Sequence, residues 1–396
     1  MESSYIRFRI ECCLRITTLA LTILLSSNLA GAISIPPPTG PYQVGVRKYT
    51  IEHLNDHDPV APNNLSTAFL ATVFYPTPQQ PQGLKPYLNP ETAALFEQSW
   101  NYSTGTLSSL TSTVQQNAPF LEYKGGLPVE GEGKGSPYPT ILFGPGGGGP
   151  PVEGNTILLS ELASYGYVVI GLDHPFEQPY IQYPNGTGVN GVVIDYSSSE
   201  LITAIYEMRL EDNSVFLDQH FIELVRKFDL PFNTTHLGAF GYSLGGAAAF
   251  GSLQRNGLLV SGLNLDGTLF GDPASNSSIA DERKPTFLVG SEGHESGDGS
   301  DRSWATFPLW QTGYQREISI NGTTHHDFCD DTFWKTLESG ADPNAGSING
   351  LEQVRVLNAY VKAFFDLTLL GKDSSILNGA SPEFPEVSFY NEPSPR

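Results

Sequence analysis

The chain has 396 residues, with 42 Asp and Glu against 21 Lys and Arg and a formal net charge of −21. Such acidity makes nucleic acid and anionic membranes poor partners, and it says little about fold. The length suits one α/β domain carrying insertions, and 22 Phe, 18 Tyr and 4 Trp supply a large core and an apolar pocket.

The N-terminus has the make-up of a secretory leader. Arg7, Arg9 and Arg15 form a basic region, residues 16–25 an apolar one too short to span a bilayer, and Ala30-Gly31-Ala32 a cleavage site. Residues 1–32 are read as a signal peptide, 33–396 as one secreted domain, and no later segment as a membrane anchor. Secretion makes the N-x-[ST] sequons at Asn64, Asn101, Asn185, Asn233, Asn276 and Asn321 candidate glycan acceptors. Cys12 and Cys13 leave with the leader, so Cys329 is left without an intrachain disulfide partner. It is expected as a small buried hydrophobe.

Pro36-Pro37-Pro38 opens the mature chain as a stiff lead-in. Strand patterns follow over 44–54 and 67–75, the second ending at Pro76. Residues 77–134 are rich in Pro, Gln, Ser and Thr, with one helical candidate at 91–100. They read as an insertion or cap-like region beside the active site. From Tyr138 onward strands alternate with helices: strand 140–143, a glycine-rich loop, helix 156–165, strand 167–172 and a long helical stretch over 198–228. Strands at 236–240, 258–265, 286–290 and 317–320 come next, and an amphipathic helix over 351–370 closes the chain. This order predicts a mostly parallel sheet covered by helices on both faces.

Gly241-Tyr242-Ser243-Leu244-Gly245-Gly246 fits G-x-S-x-G between an apolar strand pattern and a helix-forming run. That is the setting of a nucleophile elbow, whose strained serine tolerates only tiny neighbours, here Gly241 and Gly245. Ser243 is therefore the candidate nucleophile, and the fold it implies is that of the α/β-hydrolases. In that fold the acid and then the base follow the serine in the chain. His294, His325 and His326 are the histidines after Ser243. His294 lies in a polar Gly/Ser loop and reads as solvated, whereas His325 and His326 follow the last predicted strand. Between those two the residues alone do not choose. For the acid, Asp266 and Glu292 each end a predicted strand, with Glu295, Asp298 and Asp301 as more distant options.

Four blocks, 140–149, 238–246, 262–271 and 322–333, together resemble the plasma-type platelet-activating-factor acetylhydrolases and their fungal relatives. That family consists of calcium-independent, phospholipase A2-like serine esterases of the α/β-hydrolase fold. Its G-H-S-F-G-G elbow corresponds to 241–246, its L-D to Leu265-Asp266, and its G-x-x-H-x-x-F-x-D-x-T-F to the block from Gly322 to Phe333. The resemblance implies a triad of Ser243, Asp266 and His325, with His326 a mere neighbour. Position matching against the family's S-H-G-L-G implies oxyanion donors at the backbone N–H groups of Gly147 and Leu244. The chain departs from it in having Gly144-Pro145-Gly146 where the family has S-H-G.

A phosphate-cradling role for the glycine-rich loop is disfavoured because no G-K-[ST] follows it. The adjacent His325, His326 and Asp327 lack the i, i+4 spacing of a zinc helix, so neither metal nor cofactor is expected. Asp173-His174 ends a strand at the edge where ligands gather, yet His174 reads as structural. The expected function is a secreted serine esterase acting on short-chain esters, with the sn-2 acyl group of platelet-activating-factor-like phospholipids as the implied substrate. A general carboxylesterase or polyester hydrolase, and an inactive hydrolase fold used for binding, are the alternatives.

Overall fold

The computed structural model describes residues 33–121, 138–295 and 301–390. The proposed leader, residues 1–32, and Asp298 lie outside the described residues. The chain divides into Met1–Ile33 and one compact unit, Ser34–Arg396, which contains all the described strands and helices.

Ten strands form one sheet: Gln43–Asn55 (β1), Ser66–Thr77 (β2), Gln115–Gln116 (β3), Tyr138–Gly144 (β4), Val168–Asp173 (β5), Phe232–Tyr242 (β6), Leu259–Leu265 (β7), Thr286–Ser291 (β8), Gln315–Ile320 (β9) and Val387–Tyr390 (β10). Their order across the sheet is β10-β9-β8-β7-β6-β4-β5-β2-β1-β3. The six strands from β9 to β5 are mutually parallel, while β2 and β10 join antiparallel at the two sides.

Helices cover both faces because alternate side chains of the central strands are apolar on each. Ile141, Phe143, Val169 and Phe240 pack with Leu159 and Leu162 of α2 (Thr156–Ser164) and Phe364 and Phe365 of α6 (Gly350–Leu370). Leu142, Val168, Ile170 and Ala239 face the other way, onto Val215 of α3 (Ser199–Val215), Phe216, Phe221, and Leu253 of α4 (Leu244–Arg255). This is the period-2 alternation that two buried faces require. The fold is that of the α/β-hydrolases.

Several local features depart from the sequence reading. The helical stretch over 198–228 is not uniform: a π turn, Phe216–Phe221, separates α3 from Ile222–Phe228. Strand β2 continues through Pro76 to Thr77, and the sheet edge is β10, not β9. A further helix, α5 (Arg302–Trp310), follows the polar loop. The described part of residues 77–134 is well packed. Its helix α1 (Pro90–Ser99) is capped by the Asn89 side chain, and Tyr87, Phe96, Tyr102 and Leu110 bury against Trp334.

Candidate active site

Strand β6 ends at Tyr242, and the chain turns sharply through Ser243 into α4. Ser243 has φ 55° and ψ −125°, a conformation that a side-chain-bearing residue adopts only under strain. The turn closes because its neighbours are bare. A Cβ on Gly241 would lie 2.2 Å from the Gly245 carbonyl carbon, and one on Gly245 would lie 2.0 Å from the Gly144 oxygen. The Ser243 N–H donates to Leu265 O at 2.8 Å, tying the elbow to the end of β7.

Around that serine the structure brings together three of the residues read from the sequence. His325 Nε2 lies 2.9 Å from Ser243 Oγ, and His325 Nδ1 lies 2.6 Å from Asp266 Oδ2. Asp266 directly follows β7, is 2 % exposed and has φ 57°. Its Oδ1 accepts the Ser291 N–H at 2.6 Å. Beside it Asn264 grips Gly267 through both amide atoms, at 2.8 Å each, which fixes the turn. His325 opens a single helical turn, His325–Phe328, with a capping box between Thr324 and Asp327.

The other acids have different work. Glu292 accepts the Gly322 N–H at 2.7 Å and so braces the turn that leads to His325. Asp301 caps α5 through the Ser303 N–H at 2.8 Å. Glu295 faces Tyr390. His326 pairs with Asp342 and stacks on Trp100 of the insertion, ring centroids 5.0 Å apart. Nearby, Tyr102 Oη donates to Asp331 at 2.8 Å, and burial with the Asp342 charge pushes the Asp331 carboxyl far up.

The expectation that His294 is solvated is wrong. Its loop folds back, and the imidazole sits between two carboxylates, Nδ1 2.9 Å from Asp266 Oδ1 and Nε2 3.1 Å from Asp301 Oδ2. Trp304 covers it with ring centroids 4.2 Å apart. Burial would lower its pKa, but hydrogen bonds and charge from both carboxylates outweigh that and raise it to about 9. Burial likewise pushes Asp266 up, and hydrogen bonds from His294 and His325 reverse this to hold it at about 2. The signal for His294 was a histidine flanked by acids, masked by glycine and serine around it.

Arg209 and Glu177 also escaped the sequence reading. Arg209 is 1 % exposed, and its Nε donates to Glu177 Oε2 at 2.9 Å. Its two terminal nitrogens donate to Pro145 O at 2.6 Å and Gly146 O at 3.3 Å. Tyr196 Oη donates to Gly147 O. Within a trans peptide the N–H points opposite to the preceding C=O. Holding the Gly146 carbonyl on Arg209 therefore turns the Gly147 N–H away from the guanidinium. Gly147 lies against Leu244, whose N–H heads α4 and has no intrahelical acceptor. A lone arginine on the apolar face of Ile205, Tyr206, Met208 and Leu210 was the available clue.

His174, as expected, is buried scaffolding: its Nδ1 meets Asp212 at 2.6 Å, and burial lowers its pKa to about 4. Asp173 accepts the Val152 N–H at 2.8 Å. Cys329 is 4 % exposed, and burial pushes its thiol far up. Asn64, Asn101, Asn185, Asn276 and Asn321 are exposed, while Asn233 is half-buried.

No model of a known protein family matches the chain. A probable 1-alkyl-2-acetylglycerophosphocholine esterase from Arthroderma benhamiae is 24 % identical over 392 residues, covering 93 % of this chain and 96 % of that protein. The solved structure of a ferulic acid esterase from Streptomyces cinnamoneus superposes with a TM-score of 0.74 at 22 % identity, covering 91 % of this chain and 100 % of that one. The chain is a serine ester hydrolase with the α/β-hydrolase fold. The resemblance read from four motif blocks thus extends over nearly the whole esterase, N-terminal third included.

Proposed function

We propose that this esterase is secreted and removes a short acyl group from a phospholipid, the sn-2 acetyl of a 1-alkyl-2-acetylglycerophosphocholine, through an acyl-enzyme on Ser243. The hydrogen-bonded line from Ser243 through His325 to Asp266 carries the reading. His325 takes the Ser243 proton as Oγ attacks the ester carbonyl, and the oxyanion meets the N–H groups of Gly147 and Leu244. The tetrahedral adduct collapses, the C–O bond to the glycerol breaks, and the lyso-lipid oxygen leaves with the proton from His325. Water, deprotonated by the same imidazole, then attacks the acyl ester and restores Ser243. Asp266 stays ionised throughout, fixing the tautomer of His325 and matching its transient charge.

The substrate reading is supported by the name of the Arthroderma relative and by the apolar cluster of Leu244, Ile194 and Tyr206 beside the nucleophile. The leader composition and the exposed sequons support secretion. No helix among the described residues is long and apolar enough to cross a membrane.

The test is a panel run on purified mature protein: acetylated and long-chain glycerophosphocholines, p-nitrophenyl acetate and methyl ferulate, with Ser243→Ala as control. The reading requires preference for the acetylated phospholipid and loss of all turnover in Ser243→Ala. Preference for the aryl or general esters would shift the assignment to a carboxylesterase. Turnover that survives in Ser243→Ala would end the serine mechanism. N-terminal sequencing of protein recovered from culture medium tests the leader.

A further inference from the structure

We infer that His294 is a positioning residue that holds a fixed positive charge against Asp266, keeping His325 in its proton-accepting form into mildly acidic solution. This rests on the assignment of Ser243, His325 and Asp266 as the triad.

The charge follows from geometry. Each ring nitrogen of His294 faces a carboxylate oxygen, Asp266 at 2.9 Å and Asp301 at 3.1 Å. An ionised carboxylate only accepts hydrogen bonds, so both nitrogens must carry protons, and a ring with both is an imidazolium. The raised pKa of about 9 agrees. Trp304 lies over the same ring at 4.2 Å, a placement that favours a cation. Its indole N–H donates to Gly267 O at 2.8 Å, so the cation's cover is bolted to the turn that presents Asp266.

Among the described residues, charged groups face His294 from the elements packed against it. The turn after β7 contributes Asp266, and α5 contributes its N-cap Asp301. From its own loop, Glu292 is committed to the Gly322 N–H and Glu295 faces Tyr390. Asp301 is fixed in turn by the Ser303 N–H and hydroxyl, at 2.8 and 2.7 Å.

Asp266 therefore serves two imidazoles and one backbone N–H, from His325, His294 and Ser291. In a triad with one histidine the whole carboxylate charge favours protonation of the base. Here part of that charge is already matched by His294, so a proton on His325 gains less.

The experiment is the pH profile of kcat/KM on p-nitrophenyl acetate, read at the nitrophenol isosbestic point, for wild type, His294→Gln and Asp301→Asn. Gln keeps a donor for Asp266 and removes the charge. Asp301→Asn keeps the imidazole and Trp304 in place but loosens the second proton, so it serves if His294→Gln fails to fold. The acid limb should move to higher pH by about one unit in His294→Gln, as expected for a charge one side chain away in a high effective dielectric. It should move less, in the same direction, in Asp301→Asn, with the plateau rate kept within an order of magnitude. An acid limb that stays put or moves down overturns the inference, even if the plateau collapses, because His294 is then scaffold alone. Failure of the triad reading looks different: turnover would survive in Ser243→Ala.

Discussion

The Nδ1 atom of His326 hydrogen-bonds the Asp342 carboxylate. Although it adjoins His325 in sequence, its ring is committed to a buried acid and to the face of Trp100, away from any bond to Ser243. His325→Ala should accordingly lose nearly all turnover, and His326→Ala should retain most of it. The second variant should instead lose thermal stability, by about 1–3 kcal/mol for leaving a buried hydrogen-bonding partner unmet. Steady-state kinetics and a melting curve on both proteins check this, and the reverse pattern would move the base by one residue.

Asp266 and Glu292 can be separated by isosteric change. Asp266→Asn should lower kcat by about 10³–10⁴-fold, because the amide cannot hold His325 in the required tautomer. Glu292→Gln keeps an oxygen for the Gly322 N–H and should remain within a few-fold of wild type. Equal losses in the two would show that the brace and the acid are not distinct.

Arg209 joins stability to catalysis. Arg209→Gln should destabilise by about 3–5 kcal/mol, since Glu177 becomes an unmatched buried charge. It should also lower kcat more than it raises KM, because the carbonyls of Pro145 and Gly146 lose their anchor. The double change Arg209→Met with Glu177→Leu separates the two effects. It should recover stability without recovering kcat, and recovery of both would remove the loop-holding role.

Stability should increase as pH falls from 9 to about 6.5. Burial raises Asp173 and Asp330 to about 7, Asp212 to about 8 and Glu282 to about 9, while the two carboxylates raise His294 to about 9. Each of these groups binds its proton more tightly folded than unfolded, so each loses stabilising effect as pH rises through its folded value. Below about 6.5 the contribution from His294 is complete, and His174, lowered to about 4, begins to oppose the trend. Asp266, held at about 2, keeps its stabilising effect until pH falls below the ordinary Asp value of 3.8. Melting temperatures at pH 6.5 and 9 test the sign. A higher value at pH 9 would contradict it.

Legibility followed the range of the interactions. The elbow, the alternating strands and helices and the long α6 are written in local spacing, so sequence alone placed them. Asp266 and His325 needed the motif blocks, because nothing within either segment says which acid meets which histidine 59 residues away. His294 and Arg209 were illegible because their partners are distant in the chain and their neighbours mislead: a Gly/Ser loop looks wet, and an arginine on a helix looks exposed. The four residues of β10 lie beyond a turn-rich tract and form a strand only because β9 offers an open edge.

That last strand has a bearing on solubility. Val387–Tyr390 covers the outer hydrogen-bonding groups of β9, pairing Ile320 with Val387 and Ile318 with Phe389. Just before it, Glu386 O accepts the Asn321 N–H at 2.8 Å at the start of the turn that leads to His325. A chain cut short before Val387 would leave the outer edge of Gln315–Ile320 unpaired, as a template for pairing between molecules. Shortened forms should therefore self-associate and fall out of solution, with lost turnover a by-product of aggregation and not the primary defect.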